Sequence, residues 1–249
     1  MSHGFFTTIL IQPIYNVFVY LIDFFPGHSA GLAIITLTVF LRLVFYPIFA
    51  QGMRTQYAMK RIEGQMEEIK IKYKGDAALR GKKTMELLKA NNIRPFFSFL
   101  ALLIQLPVFI ALYFVFLREG FPAVALDLLY SFTPVPETIA TVFLGLLDLT
   151  AKHNIILSII VGAAQFAQSY VSQMSITIPA NIPPERAQMM NMQRKMMIYF
   201  IPLLMMSVTY TLPGAPGLYI LTNALASLVQ ELIVRRRFLH ESLPVVEVA

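Results

Sequence analysis

Cysteine is absent from the 249 residues. That excludes disulfides, thiolate metal sites, cysteine nucleophiles and lipid attached through sulfur. Charge is scarce too, at 14% of the chain, where a soluble domain carries about a quarter. Four histidines, His3, His28, His153 and His240, lie outside the apolar runs and lack metal-ligand spacing. There is no Gly-x-Ser-x-Gly elbow and no Walker-type glycine loop, which argues against hydrolysis and nucleotide use. The start, Met1-Ser2-His3-Gly4, has no basic region and no small-residue cleavage site after it, so no cleavable signal peptide is expected. No cofactor is expected either.

What is present is grease. Hydrophobic residues make up 57% of the chain, gathered in runs of around 20, the length that crosses a bilayer as helix. The expected fold is an all-α integral membrane protein with a five-span core. The spans run from Ala30 to Ala50, Phe96 to Phe116, Ile155 to Gln173, Met197 to Thr211 and Gly217 to Val234. Leu212 to Pro216 leaves room only for a tight turn, making the last two a hairpin. The segment Phe5 to Phe25 is broken by Pro13, Asn16 and Asp23 and has no basic flank. It reads as an N-terminal interfacial helix within residues 1–27, with a sixth span the alternative.

The basic residues orient this set. Eleven lie between the first and second spans: Arg54, Lys60, Arg61, Lys70, Lys72, Lys74, Arg80, Lys82, Lys83, Lys89 and Arg94. Only Arg118 and Lys152 lie between the second and third. Arg186, Arg194 and Lys195 follow the third, and Arg235-Arg236-Arg237 opens a short basic tail, residues 235–249. Lys and Arg thus alternate with loop parity, which places the N-terminus outside and the C-terminus in the cytoplasm.

Within residues 51–94 the apolar positions Met53, Tyr57, Met59, Ile62, Met66, Ile69 and Ile71 recur at helical spacing. Tyr73-Lys74-Gly75-Asp76 is a turn, with Asp76 the N-cap of a second helix reaching Ala90. The expected object is a cytoplasmic helical hairpin roughly 30 Å long.

Arg42 is the anomaly: a permanent charge inside an apolar run costs about 2.5–3.5 kcal/mol on insertion scales unless it faces water or protein. Thr38 and Tyr46, four residues either side, share one polar stripe with it on an otherwise apolar helix. Other spans carry polar residues as well. The second has Gln105, the third Ser158, Gln165, Gln168, Ser169 and Ser172, and the fifth Tyr219, Thr222, Asn223, Ser227 and Gln230. Any one amide or hydroxyl can simply join two helices. Arg42 is different, because no acid lies centrally in any span; Asp23 and Glu231 sit near the two surfaces. A hydrated cavity around the guanidinium is therefore expected.

Several strings, in this order and spacing, resemble the YidC-type membrane protein insertases, relatives of the Oxa-type factors of mitochondria and chloroplasts. They are Gly31 to Arg42 with Pro47, the stretch around Met59, Gln65 and Lys72-Tyr73-Lys74, and Met85 to Lys89. Gln105-Leu106-Pro107 through Tyr113, Phe143 to Thr150, Gly162 to Gln168, and Pro216 to Asn223 with Gln230 complete the set. The resemblance covers nearly the whole chain. Tyr219 stands where many relatives have Trp, and the large periplasmic domain of some is missing.

The resemblance implies a groove open to cytoplasm and lipid but closed outside. Arg42, Thr38, Tyr46, Gln105, Gln165, Gln168, Ser172, Tyr219, Thr222 and Asn223 would receive the polar tail of a nascent membrane protein there. The hairpin, with Arg61, Lys70, Lys72, Lys74, Lys82 and Lys83, would recruit substrates or targeting factors. Implied partners are nascent membrane proteins, membrane lipids, a Sec-type translocon, the ribosome and signal-recognition targeting factors. The implied place is the bacterial cell membrane. A small transporter or channel is the rival function, although neither paired broken spans nor an internal repeat is visible.

Overall fold

The computed structural model describes residues 7–97, 100, 103–104, 107, 109–110, 122–174 and 183–240. A short π turn, Thr7–Ile11, leads into α1, Gln12–Phe24. Ser29 caps α2, Ala30–Val44, accepting from the Leu32 amide. Then come α3, Tyr46–Arg61, α4, Glu63–Lys72, and α5, Ala77–Ala90. Two short antiparallel strands follow, β1, Val142–Phe143, and β2, Leu147–Asp148. The chain continues through α6, Ile155–Gln173, α7, Pro184–Lys195, a π turn at Met196–Phe200, α8, Ile201–Thr211, and α9, Gly214–His240.

Among the described residues, α6 and the Gly214–Arg237 part of α9 are long and apolar enough to cross a membrane. Taken as one bent element, α2 and α3 make a third. The proposed second span lies mostly outside the described residues. The proposed fourth is the π turn followed by α8, and it packs against α6.

One expectation needs correcting. The first span does not run straight to Ala50, because the chain bends by 67° between α2 and α3. Pro47 lies in the first turn of α3; its ring and missing N–H disfavour continuous helix through Phe45. At the other end, α9 carries helix through Arg235, Arg236 and Arg237 to His240. The turn between α8 and α9 is correspondingly short, Leu212-Pro213.

One core joins α1, α2, α6 and α9 through Phe18, Ile22, Ile34, Leu37, Val161 and Leu218. With the five-residue π turn before it, the 13-residue α1 makes 18 continuous helical residues, Thr7 to Phe24. Its buried face, Tyr15, Phe18, Val19 and Ile22, packs on α2. The helical hairpin has a second small core of Ile62, Ile69, Leu87, Leu88 and Ile93. The helix breaks once inside it, at Ile62. Ile71 is exposed and takes no part.

Asp76 does cap α5, its carboxylate accepting the Leu79 amide at 2.9 Å. Asp76→Ala is expected to cost about 1 kcal/mol, read as faster amide exchange in the first turn of α5 with the rest of the protein unchanged. Equal exchange in that turn would show that the cap carries nothing.

Candidate functional site

Arg42 occupies the last turn of α2, directly before the bend. It is only 8% exposed. Its Nε and Nη2 donate to Asn223 Oδ1 at 2.9 and 2.7 Å, and Nη1 donates to Gln230 Oε1 at 3.1 Å. Gln230 also donates back to the Arg42 carbonyl at 2.9 Å. The Phe49 ring of α3 lies 4.5 Å from the guanidinium carbon, a cation–π contact. Two amides seven residues apart on α9 therefore clamp a guanidinium from α2. Residues i and i+7 share a helix face, so the register of α9 alone makes the clamp possible.

Beside Arg42 is a cavity of about 20 Å³, lined by Thr38, Arg42, Phe49, Ile104, Tyr219 and Asn223 among others. That is room for about one water. The expected hydrated cavity is thus small among the described residues, and the guanidinium rests on amides. Thr38 turns its hydroxyl to the Ile34 carbonyl at 2.6 Å.

Directly after Gln230 on α9, Glu231 is 4% exposed. The Tyr57 hydroxyl donates to its Oε1 at 2.9 Å, and Gln168 Nε2 to its Oε2 at 3.3 Å. Lys60 donates to the Ser172 carbonyl at 2.9 Å. Lys60 is also in the wall of a second cavity of about 430 Å³. Met59, Met66, Met190 and Met197 give that cavity apolar, deformable sides, while Glu63, Lys70 and Arg194 bring charge to it. Two buried polar clusters thus sit at adjacent residues of α9: Gln230 holds Arg42 beside the small cavity, and Glu231 holds Tyr57 and Gln168.

Of the ten groove residues expected, Thr38, Arg42, Tyr219 and Asn223 line one cavity. Gln168 and Ser172 join the neighbouring cluster instead. Thr222 is buried and bonds its own helix at Leu218. Gln165 is half-buried on α6, and Gln105 lies outside the described residues. Tyr46 stands across the bend from Arg42, so the four-residue spacing no longer puts them on one stripe; Phe49 takes that place.

On the hairpin, Arg61, Lys72, Lys74 and Lys82 are exposed. Lys70 pairs with Glu67 at 3.1 Å and Lys83 with Glu86 at 3.3 Å. Glu67 also meets Arg186 of α7 at 3.3 Å, which ties α7 to the hairpin. Sequence reasoning missed Glu231, Tyr57 and Lys60 as site residues. The available signal was an acid directly after Gln230 in a span that otherwise has none.

Residues 21–241 match the sequence profile of the family described as 60Kd inner membrane protein. The chain belongs to that family. Over 209 residues, 84% of this chain, it is 31% identical to the membrane protein insertase YidC of Francisella philomiragia. The same identity and coverage hold for the insertase of that name from Francisella tularensis subsp. novicida. The chain spans about a third of the length of these relatives. Membership agrees with the all-helical architecture and with helices able to cross a membrane, as an inner membrane family requires.

Proposed function

We propose that this protein is a membrane protein insertase, as its relatives are named. The observation that carries the reading is the buried polar cluster of Arg42, Asn223 and Gln230, with Glu231 next to it on α9, on otherwise apolar helices. Moving a polar tail through hydrocarbon strips water from every backbone group. A path already lined by a guanidinium and by amides offers replacement partners over part of that distance.

In this reading the helical hairpin and the C-terminus face the cytoplasm and the N-terminus lies outside. Five spans form the core, with α1 at the outer interface. The Met-lined cavity receives an apolar segment of the nascent chain, and Arg42 attracts acidic residues of its tail. Exit of the apolar segment into lipid and the membrane potential give direction without a nucleotide. The exposed lysines of the hairpin recruit substrates or targeting factors, and the ribosome and a Sec-type channel are candidate neighbours.

Arg42→Ala is expected to reduce insertion of substrates with charged, translocated tails by about tenfold or more, measured in reconstituted vesicles. Arg42→Lys keeps the charge but loses the planar fork, and should recover part of the rate. Wild-type insertion of such tails by the alanine variant would remove Arg42 from the mechanism.

A further inference from the structure

We propose that the tip of the β1–β2 hairpin, Leu144 and Leu146, is a lipid anchor seated in the leaflet opposite the helical hairpin. The proposal rests on the reading that α6 and α9 cross a bilayer. Phe143 and Leu147 pack inward on the main core, and the Phe143 ring lies against Gly31 at the start of α2. Leu144 and Leu146 turn the other way, 76% and 89% exposed. Two neighbouring leucines this bare, on a finger braced from behind, form an apolar surface that no described residue covers.

Backbone bonds fix the level of the finger. The Ala30 amide donates to Ala140 at 3.2 Å and the Ala140 amide to His28 at 3.0 Å. The Ala215 amide donates to Leu149 at 2.8 Å, Gly214 to Ala151 at 3.0 Å, and His153 to Tyr210 at 3.0 Å. The base of the finger is thus tied to the starts of α2 and α9 and the end of α8. Those helix ends mark the edge of the apolar layer. Leu144 lies four residues from Ala140 and Leu146 three from Leu149, so the tip stays within about 13 Å of that edge. Ile155 and Ile156, 62% and 70% exposed, add apolar surface at the start of α6.

The turn makes the same point chemically. Leu144 and Gly145 both have positive φ, 53° and 68°, and the Leu146 amide closes the turn on the Phe143 carbonyl at 3.1 Å. The register pairs Phe143 with Leu147, so the loop has three residues, and positive φ at its first position ordinarily takes Asn, Asp or Gly. Leucine at positive φ is uncommon, so an aqueous tip would have had a polar residue available at lower conformational cost. At the base the order reverses. The Thr150 hydroxyl and amide donate to Asp148 and lower its pKa, keeping it charged. A charged base with an apolar tip, at the membrane edge, matches an interface with lipid.

Because the chain has no cysteine, Leu144→Cys and, separately, Leu146→Cys can each take one environment-sensitive fluorophore in proteoliposomes. Gly75→Cys at the helical hairpin turn and Ile159→Cys on the exposed face of α6 are the references. The expected result is blue-shifted emission at 144 and 146, quenched by lipids that carry a doxyl group near the headgroup, with Gly75 unaffected. Water-like, unquenched emission at both tip positions, with Ile159 quenched, would overturn the anchor while leaving the spanning reading intact. Blue-shifted emission that lipid quenchers do not reach would mean a protein covers the tip, which also overturns it. Loss of quenching at Ile159 as well would remove both readings.

Discussion

Asn223→Leu should destabilise the protein by roughly 2–4 kcal/mol, and Arg42→Leu made in the same chain should return most of that loss. The reason lies in the asymmetry of burying a charge. Asn223 Oδ1 accepts two of the guanidinium's bonds, at 2.9 and 2.7 Å, in a site where Arg42 is 8% exposed. Removing the acceptor leaves two donors of a buried cation unsatisfied. Removing the cation together with its acceptor leaves an apolar contact instead. A water in the adjoining cavity of about 20 Å³ can take over one bond, which limits the loss to this range. Chemical unfolding in detergent would measure the cycle, with a coupling of about 1–3 kcal/mol expected. A coupling near zero would mean the clamp holds no energy. The double variant also separates folding from function: it should be more stable than Asn223→Leu alone and still fail to insert charged tails.

The two ends of this clamp were legible in different degrees. Arg42 announces itself, since a charge in an apolar run needs an explanation. Asn223 and Gln230 were visible as one helix face. Their meeting with Arg42 was not, because contacts 181 and 188 residues apart depend on how α2 packs on α9, and no local spacing encodes that. The bend at Phe45 was local, and Pro47 was the signal for it; extending the span through that proline misplaced Tyr46 and hid Phe49. The Asp76 cap was readable because its whole geometry fits within four residues. Glu231 was set aside as near the membrane surface, yet α9 continues well past it, and Tyr57 and Gln168 bury it.

Asn16 is the clearest case of a residue read as a flaw that the structure makes a fastener, and its loss should have the larger local effect. In sequence it interrupts an apolar run. In the fold it is 4% exposed, and its amide makes four bonds. Nδ2 donates to the Gln12 carbonyl at 2.7 Å and the Leu128 carbonyl at 2.8 Å. Oδ1 accepts from the Tyr130 amide at 2.7 Å and the Thr133 hydroxyl at 2.6 Å. Next to it, the Tyr15 hydroxyl accepts the Ala125 amide at 2.7 Å. Asn16→Leu keeps the volume but strands three groups of the 125–133 loop, at about 1–3 kcal/mol each if the loop stays shut. The loop has a cheaper option, which is to lift off α1 and hydrate them. Amide exchange at Tyr130 should therefore accelerate by orders of magnitude, while the melting temperature falls less than the summed bonds suggest. Asn16→Asp, which retains the acceptor for Tyr130 and Thr133, should fall between the two. Unchanged protection at Tyr130 in the leucine variant would show that apolar packing by Leu128, and not the amide, holds the loop to α1.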